Sequence, residues 1–291
     1  MWLRSRKKHI KGRMLIKQVN TELLLEEIKT DGHAPLKFLC DNGEIYYCKH
    51  LPTLNKSEIN CLAYEVVANY LLQQLEIPTP EIALVEVLEG TLIKKLIIKN
   101  RRLREGDVCF GSKEVKFAQE LHAIQEIRTK TEFNKILNPT DIVKIALFDL
   151  WVNNVDRGRY FDDVGINYNL LINPVGSKQQ ILAFDNAFIF GGIDQIGIFN
   201  PKMGVDANNK LVNTPYYKSL IKHIDQKKFL DIVNNFIPLL PVNYDKSISN
   251  IVKELRKNWA LTRNLDERII ALLSSREHIE HCKNIIIQSK R

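Results

Sequence analysis

The sequence predicts a two-lobed α+β fold, with a small β-rich N-terminal lobe and a larger, mainly α-helical C-terminal lobe. Three observations carry this expectation. An Asn-Gly turn between two β-rich runs marks a hairpin in the first fifty residues. A single helical stretch interrupts that half, and after Lys99 helical periodicity takes over. No internal repeat joins the two patterns, so the change from one to the other places a cleft between two lobes. The boundaries read from the chain are a basic arm over 1–17, the β-rich lobe over 18–100 and the helical lobe over 101–291.

The arm comes first. Seven basic residues and no acid fall between Met1 and Lys17; without them the net charge of +8 drops to +1, so the rest of the chain is close to neutral. The arm reads as a solvated terminus, with contact to nucleic acid or an anionic surface by counterion release as the alternative. Only Met14 to Ile16 follow the charges as an apolar run, too few for the core of a secretory signal. With 45% apolar and 26% charged residues, the composition excludes a disordered or collagen-like chain. No run approaches a membrane-spanning length. Five cysteines without a CxxC pair read as buried or free thiols of a reducing compartment, and the expected location is cytoplasmic.

In the β-rich half, Ile16 to Lys29 reads as a strand or short helix leading in. Leu36–Cys40 and Ile45–His50 form the hairpin around Asp41-Asn42-Gly43-Glu44. Ser57 to Leu75 has helical spacing through Leu62, Val66, Tyr70 and Leu71, with Ser57 as N-cap, and Ile77-Pro78-Thr79-Pro80 stops it. Glu81–Val87 and Thr91–Ile98 read as a second pair of strands around Glu89-Gly90. Beyond Lys99, helices are expected over 117–127, 139–153, 217–237, 247–261, 265–274 and 279–287. Two short strands, Asn169–Ile172 and Gln180–Phe184, lie among them.

The chemistry concentrates at the end of the 139–153 helix. Asp156 follows in the loop Asn154-Val155-Asp156-Arg157, Asn169 enters one short strand, and Asp185 leaves the next. An Asp, an Asn and a second Asp in that order suit phosphoryl transfer. One carboxylate orients an acceptor hydroxyl, while the amide oxygen and the other carboxylate hold Mg²⁺ on the phosphates of ATP. Lys49 at the hairpin's end and Glu65 on the following helix supply a phosphate-neutralising ammonium and the carboxylate that fixes it.

With these residues in place, the sequence resembles the HipA-like kinases and, more distantly, the protein-kinase and phosphoinositide-kinase fold. The resemblance rests on Tyr46-Tyr47-Cys48-Lys49-His50-Leu51, Glu65-Val66-Val67-Ala68-Asn69, Leu75-Glu76-Ile77-Pro78-Thr79-Pro80, Cys109-Phe110-Gly111-Ser112-Lys113 and Asn154-Val155-Asp156-Arg157, in that order from about residue 30 to 280. It implies a protein-kinase-like fold and an ATP- and Mg²⁺-dependent kinase with a protein Ser/Thr acceptor. Asp156 and Asn154 would then be catalytic, and Asn169 and Asp185 would hold the metal. The family's toxins work beside a DNA-binding antitoxin, so an antitoxin-like partner also falls within what the resemblance implies.

The chain departs from the family pattern in three places. Twelve residues separate Asp156 from Asn169, which makes Asn167 a rival for the metal. No G-x-G-x-x-G loop is present, and the nearest phosphate-covering candidate is Asp31-Gly32-His33-Ala34, whose Gly32 and His33 backbone would form an anion nest. Asp185 precedes Asn186-Ala187 where a protein kinase has Phe-Gly. These departures support a second reading, a degenerate kinase-fold module that binds nucleotide or a partner without transferring phosphate. The remaining features read structurally. Arg157 is expected to pair with a carboxylate, with neutralisation of phosphate as the alternative, and Asn154 reads either as a plain helix cap or as a residue that also supports the catalytic loop. His278, His281 and Cys282 have ligand-like spacing but no partner cluster. Lys94 to Arg104 reads as a solvated basic face, with attraction of an acidic partner or of ATP as the alternative. Phe188, Phe190 and Phe199 among glycines suggest an activation-loop-like segment or core packing.

Overall fold

The fold is that of a computed structural model describing residues 16–30, 34–51, 58–121, 126–162, 165–191, 199–241 and 244–290. The arm up to position 15, the nest residues Gly32 and His33, Ser57, Asp163, Gly192 and Gly197 lie outside the described residues.

The N-terminal half is built on β1 (Lys17–Glu27), β2 (Leu36–Cys40), β3 (Ile45–Lys49), α1 (Cys61–Gln74), β4 (Ile82–Glu86) and β5 (Val108–Lys113). The five strands close into a barrel in the order β1-β2-β3-β5-β4, with β1 and β4 parallel and the other contacts antiparallel. Period-two alternation sends Leu36, Phe38, Cys40, Tyr46 and Cys48 into the barrel, where they meet Val85 and Cys109. Gly43 turns the β2–β3 hairpin at φ +73°, a conformation that favours glycine.

Two expectations for this half are corrected. Thr91–Ile98 is not a strand: a 3-10 turn covers Lys94–Leu96, and the antiparallel partner of β4 is β5. Leu92, Ile93, Leu96 and Ile97 pack on the barrel while Lys94 and Lys95 face water, a helical rather than alternating spacing. The barrel therefore takes its last strand from beyond residue 100. The helix starts at Cys61, later than expected, with Asn60 as N-cap residue. The Asn60 side chain makes no cap bond; it pairs instead with Thr262, donating to its Oγ1 at 3.0 Å and accepting from its N–H at 3.1 Å.

The C-terminal half continues with β6 (Gln119–Glu120), α2 (Lys130–Lys135), α3 (Asp141–Trp151), β7 (Tyr160–Phe161), β8 (Gly165–Ile166), β9 (Leu170–Val175) and β10 (Lys178–Ala183). Then come α4 (Pro215–Ile221), α5 (Gln226–Phe236), α6 (Asp245–Leu255), α7 (Leu265–Leu273) and α8 (Arg276–Ser289). The expected helix over 117–127 is absent from the described part of that range: Phe117 has φ +65° and β6 joins β9 at the edge of a three-stranded sheet. The single helix expected over 217–237 is two, because the Asp225 side chain accepts from the Lys228 N–H and starts a new helix. The helix expected to reach Leu261 stops at Leu255, where Trp259 turns its indole N–H to the Val108 carbonyl at 2.7 Å.

A large apolar core joins α1 to α3 and the helices that follow; the barrel interior is a separate, smaller core. All of α3 but Lys144 is buried, so its end is a fixed platform for the loop that follows. The proline exit after α1 is tied across the molecule. Asn69 Nδ2 donates to the Pro80 carbonyl at 2.8 Å, and the Ala183 N–H, at the end of β10, donates to the Pro78 carbonyl at 2.9 Å. All five cysteines are free and buried. Among the described residues no helix is long and apolar enough to cross a membrane.

Candidate active site

A cavity of about 800 Å³ opens between the outer wall of the barrel and the loops around β9 and β10. Lys49, Glu65, Asp156, Asn167 and Asp185 line it. Alternation along β3 buries Cys48 in the barrel and so points Lys49 out of it, toward α1. The Lys49 ammonium lies 2.7 Å from Glu65 Oε1 and 2.7 Å from Asp185 Oδ1. Burial by itself would lower the Lys49 pKa, but the carboxylates of Asp185 and Glu65 outweigh it and leave the pKa raised, so the ammonium is charged. Glu65 is itself pushed up, by burial and then by Asp185 against the pull of Lys49, and its Oε2 accepts from the Asn186 N–H at 2.7 Å.

Asp156 is positioned by the way α3 ends. Asn153 takes a left-handed conformation just past the helix, and the Asn154 N–H then returns to the Asp149 carbonyl at 2.7 Å. The fully buried Asn154 side chain accepts from the N–H groups of Asp156 (3.0 Å) and Arg157 (3.1 Å), a local turn that fixes the loop. Asn154 is thus neither the helix cap, a position held by Val152, nor a residue that lines the cavity; it shapes the backbone that carries Asp156.

Asp156 Oδ2 accepts from Asn167 Nδ2 at 2.9 Å and from Asn169 Nδ2 at 2.8 Å. Among the described residues nothing hydrogen-bonds Oδ1. Burial, followed by the like charge of Asp185, raises the Asp156 pKa, and the two amides hold it down. Asn169 and Asp185 both adopt left-handed backbone conformations (φ +46° and +52°), which short polar side chains tolerate best and which concentrate at functional sites.

Behind this front a buried clamp joins the segments. Arg157, with no exposure, pairs with Asp149 and donates to the carbonyls of Phe184 (2.7 Å) and Asn169 (3.3 Å) and to Asn186 Oδ1 (2.9 Å). Its pairing is therefore with a carboxylate. Asp149 is pushed up to about 6 by burial against the pull of Arg157 and Lys210. Lys210, brought down to about 8 by burial, donates to the Asn154 carbonyl. Gly158 (φ +94°) packs so close that a Cβ would lie 2.2 Å from the Leu211 nitrogen. Sequence reasoning missed Asp149, Gly158, Asn186 and Lys210. A lone Asp in the apolar run Leu147-Phe148-Asp149-Leu150 was a usable signal; nothing around Lys210 pointed to it.

The donor set suits a hard cation. Asp185 offers a carboxylate, and Asn167 and Asn169 each give only the amide nitrogen to Asp156, which leaves their oxygens for an ion. Asn167 lines the cavity; Asn169 is buried behind it. Among the described residues no cluster of three His, Cys, Asp or Glu could hold a metal. His278, His281 and Cys282 form no such cluster. His278 Nε2 lies 2.7 Å from the Trp151 carbonyl and His281 Nε2 lies 3.2 Å from that of Val205. Phe190 and Phe199 stack in the core at 5.1 Å, while Phe188 reaches the cavity.

Comparison with known proteins gives one family. The model described as HipA-like kinase matches residues 25–262. No curated protein matches the sequence. Similar folds include the crystal structure of a Helicobacter pylori proinflammatory kinase, CtkA (TM-score 0.49, 16% identity, 90% of this chain and 94% of that one). The Golgi casein kinase is similar at a TM-score of 0.44 (12% identity, 91% and 72%). The same kinase with Mn/ADP bound gives 0.41 (14% identity, 92% and 73%).

Proposed function

The chain belongs to the HipA-like kinase family, and from that premise we propose that it is an ATP- and Mg²⁺-dependent phosphotransferase whose acceptor is a protein Ser or Thr hydroxyl. One observation carries the reading: Lys49, Glu65, Asp156, Asn167 and Asp185, widely separated in sequence, line one cavity, with Asn169 bonded to Asp156 from behind.

In this reading Lys49, released from Asp185, neutralises the α- and β-phosphates while Glu65 keeps it in place. Asp156 Oδ1 accepts the proton of the acceptor hydroxyl, and the Asn167 and Asn169 amides on Oδ2 fix the carboxylate's orientation. Asp185, with the amide oxygen of Asn169 or Asn167, would hold Mg²⁺, which supplies charge neutralisation on the phosphates. The segment 114–118, leaving β5 along the cavity wall, would face the base of the nucleotide. The proposed lobes divide after Lys113 rather than at 100, since β5 completes the barrel. The buried, unpaired thiols support a cytoplasmic location.

The test is transfer of labelled phosphate from ATP to the protein itself or to generic protein acceptors, with Asp156→Ala and Asp185→Ala as controls. Both should lose transfer; full activity in both would refute the assignment. The β7–β8 hairpin inserted between Asp156 and Asn169 favours one second reading, a degenerate module. That reading is supported if ATP raises the melting temperature while no phosphate is transferred.

A further inference from the structure

Three of the described residues lining the cavity are cations: Lys49, Lys113 and Arg159. Lys49 is held by Glu65 and Asp185, and Lys113 by Glu44 and Glu81. Arg159 has no carboxylate within 4.0 Å among the described residues. Its guanidinium stacks instead over the Phe161 ring, 5.2 Å from the centroid, which orients the fork without neutralising it. The placement is fixed by backbone bonds. The Arg159 N–H donates to the Asp156 carbonyl at 3.0 Å, and the Asn167 N–H donates to the Arg159 carbonyl at 2.8 Å. Arg159 thus stands at the root of the β7–β8 hairpin, between the candidate base and a candidate metal ligand.

The charge of the cavity makes this position informative. Five carboxylates (Glu65, Glu114, Glu120, Asp156 and Asp185) line it against the three cations, so the wall is net acidic where a polyanion would have to sit. A phosphoryl group in transfer spreads charge over three equatorial oxygens, and a planar guanidinium with no competing carboxylate among the described residues is well suited to receive it. Arg157, the nearer arginine in sequence, is closed into its buried clamp and unavailable for this role.

We propose that Arg159 contacts the γ-phosphoryl group of the nucleotide, a charge-stabilising arginine supplied in cis by the hairpin. The inference rests on the phosphotransferase reading above. In the step, a bond forms between the acceptor oxygen and phosphorus, and the bond from phosphorus to the bridging oxygen breaks with its electron pair leaving on ADP. The acceptor proton passes to Asp156. Arg159 exchanges no proton and donates hydrogen bonds only.

The experiment compares wild type with Arg159→Gln, Arg159→Lys and Phe161→Ala. Calorimetric titration with a non-hydrolysable ATP analogue and with ADP, both with Mg²⁺, is paired with single-turnover transfer. Arg159→Gln is expected to weaken the ATP analogue about tenfold with ADP unchanged, and to slow transfer by about 10²–10³-fold. Arg159→Lys should fall in between, since a point charge lacks the fork, and Phe161→Ala should give a smaller loss of the same kind. Equal loss for ATP analogue and ADP, or an effect confined to the acceptor KM, would overturn the proposal. So would unchanged transfer and unchanged ATP preference in Arg159→Gln beside an active wild type. A wild type that neither binds nucleotide nor transfers phosphate would instead remove the phosphotransferase reading, and this inference with it.

Discussion

Lys49 Nζ and Asp185 Oδ1, 136 positions apart in the chain, meet at 2.7 Å inside the cavity. The contact joins the end of a barrel strand to the residue that follows β10, and a second carboxylate, Glu65, shares the same ammonium at 2.7 Å. Two carboxylates on one lysine leave the trio with an excess negative charge that a divalent cation would relieve. Asp185→Asn is therefore expected to abolish Mg²⁺-dependent transfer while Lys49 stays paired with Glu65. Titrating activity with Mg²⁺ in the variant checks this, and wild-type Mg²⁺ dependence would contradict it.

The pH profile follows from Asp156. Its carboxylate must be ionised to accept a proton, so activity is lost as pH falls through its pKa. Burial and Asp185 raise that pKa, so the acidic limb should lie above the ordinary aspartate value of about 3.9. Asn167→Ala removes one of the two amides that hold the pKa down and should move the limb to higher pH. Asp156→Ala should cost about 10²–10⁴-fold in kcat. A rate–pH series on the three proteins decides it; an unmoved limb in Asn167→Ala would count against the role of that amide.

Arg157 is expected to matter for stability more than its place in a loop suggests. Arg157→Met leaves Asp149 buried without its main partner, a loss of about 3–5 kcal/mol in this fully buried setting. Because Asp149 is already pushed up to about 6, the deficit should shrink at acidic pH, where the carboxyl carries a proton. Pairing Arg157→Met with Asp149→Leu should recover part of the loss. Urea unfolding at two pH values tests all three statements.

Gly158 gives a sharper backbone test. Its φ of +94° and the 2.2 Å approach of a Cβ to the Leu211 nitrogen leave no room for alanine. Gly158→Ala should cost about 2 kcal/mol or more and displace the Asp156 loop, lowering activity alongside the melting temperature. Thermal unfolding with wild-type values would show that the loop can relax away from the Lys210–Leu211 backbone.

Much of the fold was readable because its signals are local. The Asn-Gly turn fixes the β2–β3 hairpin, the apolar run before Trp151 specifies a buried helix, and the short apolar runs Leu170–Ile172 and Ile181–Ala183 mark β9 and β10. The misreadings came where local pattern and tertiary demand diverge. Thr91–Ile98 has strand-forming residues but helical spacing, and the strand position beside β4 belongs to Val108–Lys113, where no turn signal marks a hairpin with β4. Asp225 divided a helix that periodicity alone would run together.

By itself, the sequence determined which residue types stand in which order: Lys49 at a strand end, Glu65 on a helix, Asp156 after a buried helix, Asn169 and Asp185 at the ends of a hairpin. Only the tertiary structure decided that Lys49, Glu65, Asp156 and Asp185 line one cavity, with Asn169 bonded to Asp156 from behind. It also decided that Asn154 and Arg157 shape the loop from behind, and that Lys210 and Gly158 brace it. The physical reason is range. Turn chemistry and periodicity act over a few residues, whereas an ion pair, a buried clamp or a sub-van-der-Waals approach depends on how distant segments pack, which no local pattern encodes.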